Sequence, residues 1–182
     1  NGNFSFSGDT IFSYVTPMAL FMSVKRKGDY VFINSDSYSV STSRHQTYIW
    51  QALHNRQSFE QVSVTGEILK AICDYKDMIR GSYEREARSN LKRKLRKEFG
   101  YIMRNVASSL AKAARARTRR QYLINEAQGM VDDVKQLSDI FGIGYRIPKA
   151  IIEGLAATDT ETLNAANTTM TKREAAAQRK KK

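Results

Sequence analysis

The sequence predicts an α+β protein: a small N-terminal antiparallel sheet with helices, then a long basic helix and further C-terminal helices. Three observations predict it. Short runs before residue 40 alternate apolar and polar residues with a period of two, the signature of half-buried strands. From Leu91 onward the apolar residues recur at steps of three and four, the stripe of amphipathic helices. Charge is segregated: Arg80 to Arg120 holds 14 Lys and Arg against 3 acids, net +11, while Asn1 to Ile79 is neutral and the whole chain carries +12.

The 182 residues suit one domain, or one domain with an appendage. The boundaries expected are a sheet-plus-helix domain at 1–64, a helical basic region at 65–155 and a mobile basic tail at 156–182. No run approaches the eighteen apolar residues of a membrane span, so no membrane partner is expected. The chain opens without Met and without a secretory pattern, from which a processed or trimmed start is expected. Cys73 is the single cysteine, which rules out an internal disulfide and a cysteine-based metal site. It is expected to be a small apolar filler on a helix in a reducing compartment. His45 and His54 are nine apart, not the i,i+4 pair of a helical metal site. No metal, no cofactor and no catalytic residue are expected.

NFSFS places Phe4 and Phe6 on one face of a first strand, and Gly8-Asp9 marks a turn. IFSYV and MALFMSV read as two strands separated by Thr16-Pro17. Lys25 to Asp29 closes a hairpin onto YVFIN, Asn34 to Ser37 turns, and YSVS makes a short last strand. A helix follows. Ser43, with Gln46 three residues on, forms a capping-box pattern, and Thr42 is the alternative cap. This helix buries Tyr48 or Ile49, Ala52 and Leu53, with Trp50 at its edge. Thr42, Ser43, Arg44 and His45 are candidate phosphate-binding residues, because free N–H groups at a helix N-terminus attract anions. The ordinary reading is a cap with Arg44 in solvent.

SYVTPMA at Ser13–Ala19 and YSVSTSRHQ at Tyr38–Gln46 resemble a signature of uncharacterised bacteriophage and mobile-element proteins. Their pattern is a Ser-Tyr-x-Thr-Pro segment, a hairpin, then Tyr-Ser-x-Thr-Thr-Ser-x-His-Gln. Ser41 stands where Thr is usual. The resemblance covers the first third of the chain and implies a phage-like origin, in the host cytoplasm or associated with a virion, with no established activity.

Arg56 to Val64 reads as a connector. Thr65 caps a helix over about Gly66–Arg80, with Ile68, Leu69, Ile72, Cys73, Tyr75 and Ile79 apolar, and Gly81-Ser82 breaks it. The basic helix starts near Tyr83, with Glu84 and Glu86 suited to its positive end, and runs unbroken or kinks at Gly100. Its stripe is Leu91, Leu95, Phe99, Ile102, Val106 and Leu110. Lys92, Arg93, Lys94, Arg96, Lys97, Arg104, Arg115, Arg119 and Arg120 are the candidate nucleic-acid-binding residues. Few acids alternate with these bases, so the run repels itself unless a polyanion neutralises it. A second stripe, Leu123, Ala127, Met130, Val134, Leu137 and Phe141, belongs either to the same helix or to an antiparallel partner. In the second case Asp132, Asp133 and Asp139 could neutralise part of the basic helix.

LSDIFGIGYRIPKAIIE at Leu137–Glu153 resembles the helix-hairpin-helix motif, whose hairpin N–H groups hold a DNA phosphate. The resemblance implies phosphate-binding roles for Gly142 and Gly144 in the hairpin and for Arg146 and Lys149 beside it. Tyr145 replaces the usual Pro, and Pro148 falls within the second helix, near its first turn. The simpler reading is a glycine C-cap between two helices. The tail from Ala156 is rich in Thr, Asn and Ala, and reads as mobile or weakly helical.

These features point to a non-catalytic, largely sequence-non-specific protein whose partner is a DNA or RNA backbone. The alternative is a structural, assembly or host-directed interaction protein of a phage. It would form homo-oligomers through the helical stripes or meet an acidic partner protein.

Overall fold

The computed structural model describes residues 3–54, 58–81, 83–157 and 159–179. The protein is α+β and folds as two compact units, Asn1–Leu95 and Arg96–Lys182. The boundary expected at 64/65 therefore falls inside the first unit. Ser82 of the expected Gly81-Ser82 break lies outside the described residues, as do residues 56 and 57 of the expected connector and Lys180 to Lys182 of the tail.

The first unit holds a five-stranded sheet in the order β1-β2-β3-β4-β5. β1 (Phe4–Ser7), β2 (Thr10–Ser13), β3 (Thr16–Val24) and β4 (Gly28–Asn34) form an antiparallel meander. Tyr14 turns between β2 and β3 at φ 56. β5 (Glu60–Val64) pairs parallel to β4, with Phe32 opposite Val62. A parallel pair needs a crossover, and α1 (Val40–His54) supplies it. Thus the expected connector contains a strand. YSVS is not a strand: Val40 already begins α1, and the Ser43 N–H donates to the Ser39 carbonyl at 2.9 Å.

Helices cover both faces of the sheet. Ile49 and Leu53 of α1 close a core with Met18, Ala19, Val31 and Ile33. Tyr48 and Ala52, the other expected inward positions, are exposed. α2 (Gly66–Arg80) lies against β3 and β4 and buries Ile68, Leu69, Ala71 and Ile72. Thr65 caps it, accepting from the Ile68 N–H at 3.4 Å. Lys76 and Arg80 both donate to Asp9, at 2.6 and 2.8 Å, tying the β1–β2 turn to α2. Cys73 sits half-buried on α2, hydrogen-bonded to Thr10, and burial pushes its thiol up to about 11.

α3 (Glu84–Arg115) passes Gly100 without a break. Its expected stripe, Leu91, Leu95, Phe99, Ile102, Val106 and Leu110, is buried throughout. In the second unit α4 (Arg120–Phe141) is a separate helix that ends at Gly142. Arg96 donates to the Gly144 carbonyl at 3.2 Å, and the Phe99 ring meets Tyr145 edge-on at 5.3 Å. The far end of α4 has therefore returned to the beginning of the α3 segment, which makes it an antiparallel partner. α5 (Lys149–Ala156) and α6 (Thr160–Arg179) complete the unit. A Cβ on Gly154 would stand 2.9 Å from Leu110 Cδ1 and 3.4 Å from the Ala166 Cβ, so glycine lets α5 lie close to α3 and α6. The tail expected to be mobile or weakly helical is helix over Thr160–Arg179, anchored by Leu163, Ala166 and Met170, all buried.

Candidate nucleic-acid interface

A helix turns about 100° per residue, so Lys97, Arg104 and Arg115 project within about 20° of one another. That direction is opposite to Phe99, Ile102, Val106 and Leu110. The core thus fixes where these cations point. Lys97 and Arg115 are exposed and Arg104 is half-buried. Arg104 lies over the Tyr101 ring, 5.4 Å from its centroid. Arg115 donates to the Ala111 carbonyl at 3.3 Å, where Lys112 and Arg115 also suit the negative end of α3.

The connector to α4 is more unusual. Arg117 and Arg119 are exposed, Arg119 occupies the N-cap of α4 without a side-chain cap bond, and Arg120 opens the helix. The first turn of α4 has no acid. Cations at a positive helix end are unfavourable by themselves, whereas an anion there is favoured. Between Phe99 and Asn125 there are six bases and no acid.

Of the α4 acids that the fold-back brings into the second unit, Asp132 and Asp133 show no influence of a cation from α3. Asp132 accepts from Gln128 and Lys135 of its own helix, which holds its carboxyl below the usual range. Burial, aided by Asp132, pushes the Asp133 carboxyl up; a guanidinium beside it would do the reverse. Ionised Asp133 therefore opposes folding above the ordinary carboxylate range, and the penalty disappears as pH falls below it. Asp133→Asn should raise the melting temperature at neutral pH and leave it unchanged in acid, measured by calorimetry.

Other expected residues are placed differently. In the first unit Lys94 pairs with Asp74 at 2.6 Å and Arg93 donates to Asn90 at 3.2 Å, while Lys92 is exposed. Arg96 is engaged by Gly144, as above. Lys97 and Arg119 have no ion pair or side-chain hydrogen bond among the described residues.

The Thr42–His45 cluster does not supply the helix cap. Ser39 takes the cap position, with Thr42 N–H 3.5 Å from its Oγ, so Ser43, Arg44 and His45 lie inside α1. Thr42 is buried, and Ser43 and Arg44 are exposed. His45 Nδ1 hydrogen-bonds Ser13 Oγ at 2.7 Å, and its ring contacts Phe4 at 4.8 Å. Gln46 does not close a capping box; it donates to the Asn34 and Asp36 carbonyls. Buried Asn34 donates in turn to the Pro17 carbonyl and to Tyr38 Oη. The two segments that carry the phage resemblance thus meet around Asn34 and His45, a juxtaposition that spacing alone did not reveal.

Gly142 adopts the left-handed conformation at φ 60, and the Ile143 N–H donates to the Ser138 carbonyl at 2.9 Å. This is the glycine C-cap, and only glycine takes that conformation cheaply. Pro148 stands at the N-cap of α5, one residue before the helix and not inside it. Gly144 and Arg146 are exposed in the α4–α5 loop, and Lys149 pairs with Glu153 at 3.0 Å.

Among the described residues no three His, Cys, Asp or Glu side chains group to hold a metal, and no helix is long and apolar enough to cross a membrane. No family model, curated protein or solved structure matches the chain.

Proposed function

We propose that this protein binds nucleic acid without catalysing a reaction, by setting cations of its second unit against backbone phosphates. The observation that carries the reading is the acid-free segment from Phe99 to Asn125. It turns the α3–α4 corner with six bases, on an outer helix face and at a helix N-terminus. Such a surface recognises a polyanion by charge, with little sequence preference. The resemblance of Ser13–Ala19 and Tyr38–Gln46 supports a phage-like setting, in the host cytoplasm or on a virion. The test is titration of the full chain with DNA and RNA, single- and double-stranded, from low to high salt. Binding that weakens steeply with salt is expected, and no binding at low salt overturns the reading.

A second reading, assembly through protein contacts, is favoured by the uncharged edge strand β1, where Phe6 is 83% exposed. Unpaired edge backbone beside an apolar side chain accepts another strand. The α3 stripe cannot serve, since it is already buried within the chain. A monomeric mass in solution counts against this reading.

A further inference from the structure

We propose that the second unit prefers single-stranded nucleic acid, stacking a base on Tyr101 and holding the adjoining phosphate at Arg104. This rests on the nucleic-acid reading above and specifies its substrate. Tyr101 is 51% exposed on α3, and it lies among the outward cations. Its partner Arg104 is one turn further along the same helix. The segment that carries both is braced from the inner side of α3, where Arg96 holds the Gly144 carbonyl and Phe99 meets the Tyr145 ring. An exposed ring and a guanidinium are therefore held side by side on one fixed helix face.

That combination suits a single strand. In a duplex the bases are stacked on each other and their faces are closed to a side chain. In a single strand every base offers a face, and an aromatic platform gains from it regardless of sequence. The phosphate between successive bases then meets Arg104, which gives the charge component.

The test is fluorescence titration of the full chain with a short labelled single strand of mixed sequence, and with the duplex of that sequence, over a salt series. The single strand should bind more tightly, and the preference should widen with salt, because stacking is not screened as phosphate contacts are. Tyr101→Ala should weaken single-strand binding about 10-fold with an unchanged salt slope, and should leave duplex binding as it was. Tyr101→Leu, which keeps the bulk but not the flat ring, should behave likewise, and Tyr101→Phe should retain affinity. Arg104→Gln should flatten the single-strand slope by roughly 0.7, and Arg104→Lys should restore it. Unchanged single-strand affinity in Tyr101→Ala and Tyr101→Leu, with wild type still binding, overturns this proposal and leaves the charge-based reading standing. A wild type that binds neither strand at low salt overturns both.

Discussion

Phe99→Ala should cost about 3–5 kcal/mol of stability, the range for emptying a fully buried aromatic site. Phe99 is 0% exposed and stands on the inner face of α3, with its ring edge-on to Tyr145. Removing the ring deletes its burial and leaves a hole that the surrounding helices fill only in part. It also removes the floor on which the Gly142–Pro148 loop is seated. Urea unfolding followed by circular dichroism should show a lower midpoint with an unchanged slope. Phe99→Leu should recover most of the loss. Tyr101, two residues along and half-exposed, should lose little on truncation to Ala. A loss below about 1 kcal/mol at Phe99 would mean that the stripe is not packed as described.

The second large effect concerns affinity. Each phosphate neutralised on duplex DNA releases counterions, so log K should fall against log salt by about 0.9 per contact. About five contacts give a slope of roughly −4 to −5. Replacing Lys97 and Arg104 together by Gln should flatten it by about two units and weaken all sequences alike. The melting temperature should fall only slightly, because Lys97 is exposed and half-buried Arg104 lies on the side of α3 opposite Phe99 and Val106. If α4 carboxylates were instead the partners of these cations, the double mutant would lose stability and keep its affinity. Asp132 is taken by Lys135 and Gln128, and Asp133 is raised by burial, so the first outcome is expected. Salt-dependent titration and thermal melts of both proteins separate the two.

The longer periodic segments were legible in the sequence, and the short ones were not. Six apolar residues from Leu91 to Leu110 define one helical face so clearly that α3 and its outward cations follow from spacing alone. β5 was missed because Val62 and Val64 alternate over too few residues to stand out, and their pairing with β4 depends on a crossover far away in sequence. YSVS alternates equally well, yet Ser39 caps and Val40 begins a helix. Four residues cannot distinguish the two periods. α6 looked like a tail because Leu163 and Met170 are its only large buried apolar residues, with Ala166 between them. It is seated by the close approach that Gly154 permits, and that is a tertiary fact. The Thr42–His45 cluster shows how much a shift of about one helical turn matters. With Ser39 as the cap, His45 turns to Ser13 at the end of β2, while Ser43 and Arg44 stay exposed.

The Cys73 thiol has a consequence for chemical labelling. With its proton held up to about 11, the thiolate at neutral pH is on the order of one part in ten thousand, and alkylating reagents attack only that form. Modification of the native chain is therefore slow for an ionic reason as well as a steric one. Once α2 swings away from Thr10 and the sheet, both restraints are lifted together. Because there is no other cysteine, a single added mass after incubation with iodoacetamide counts those openings directly, with no engineered probe.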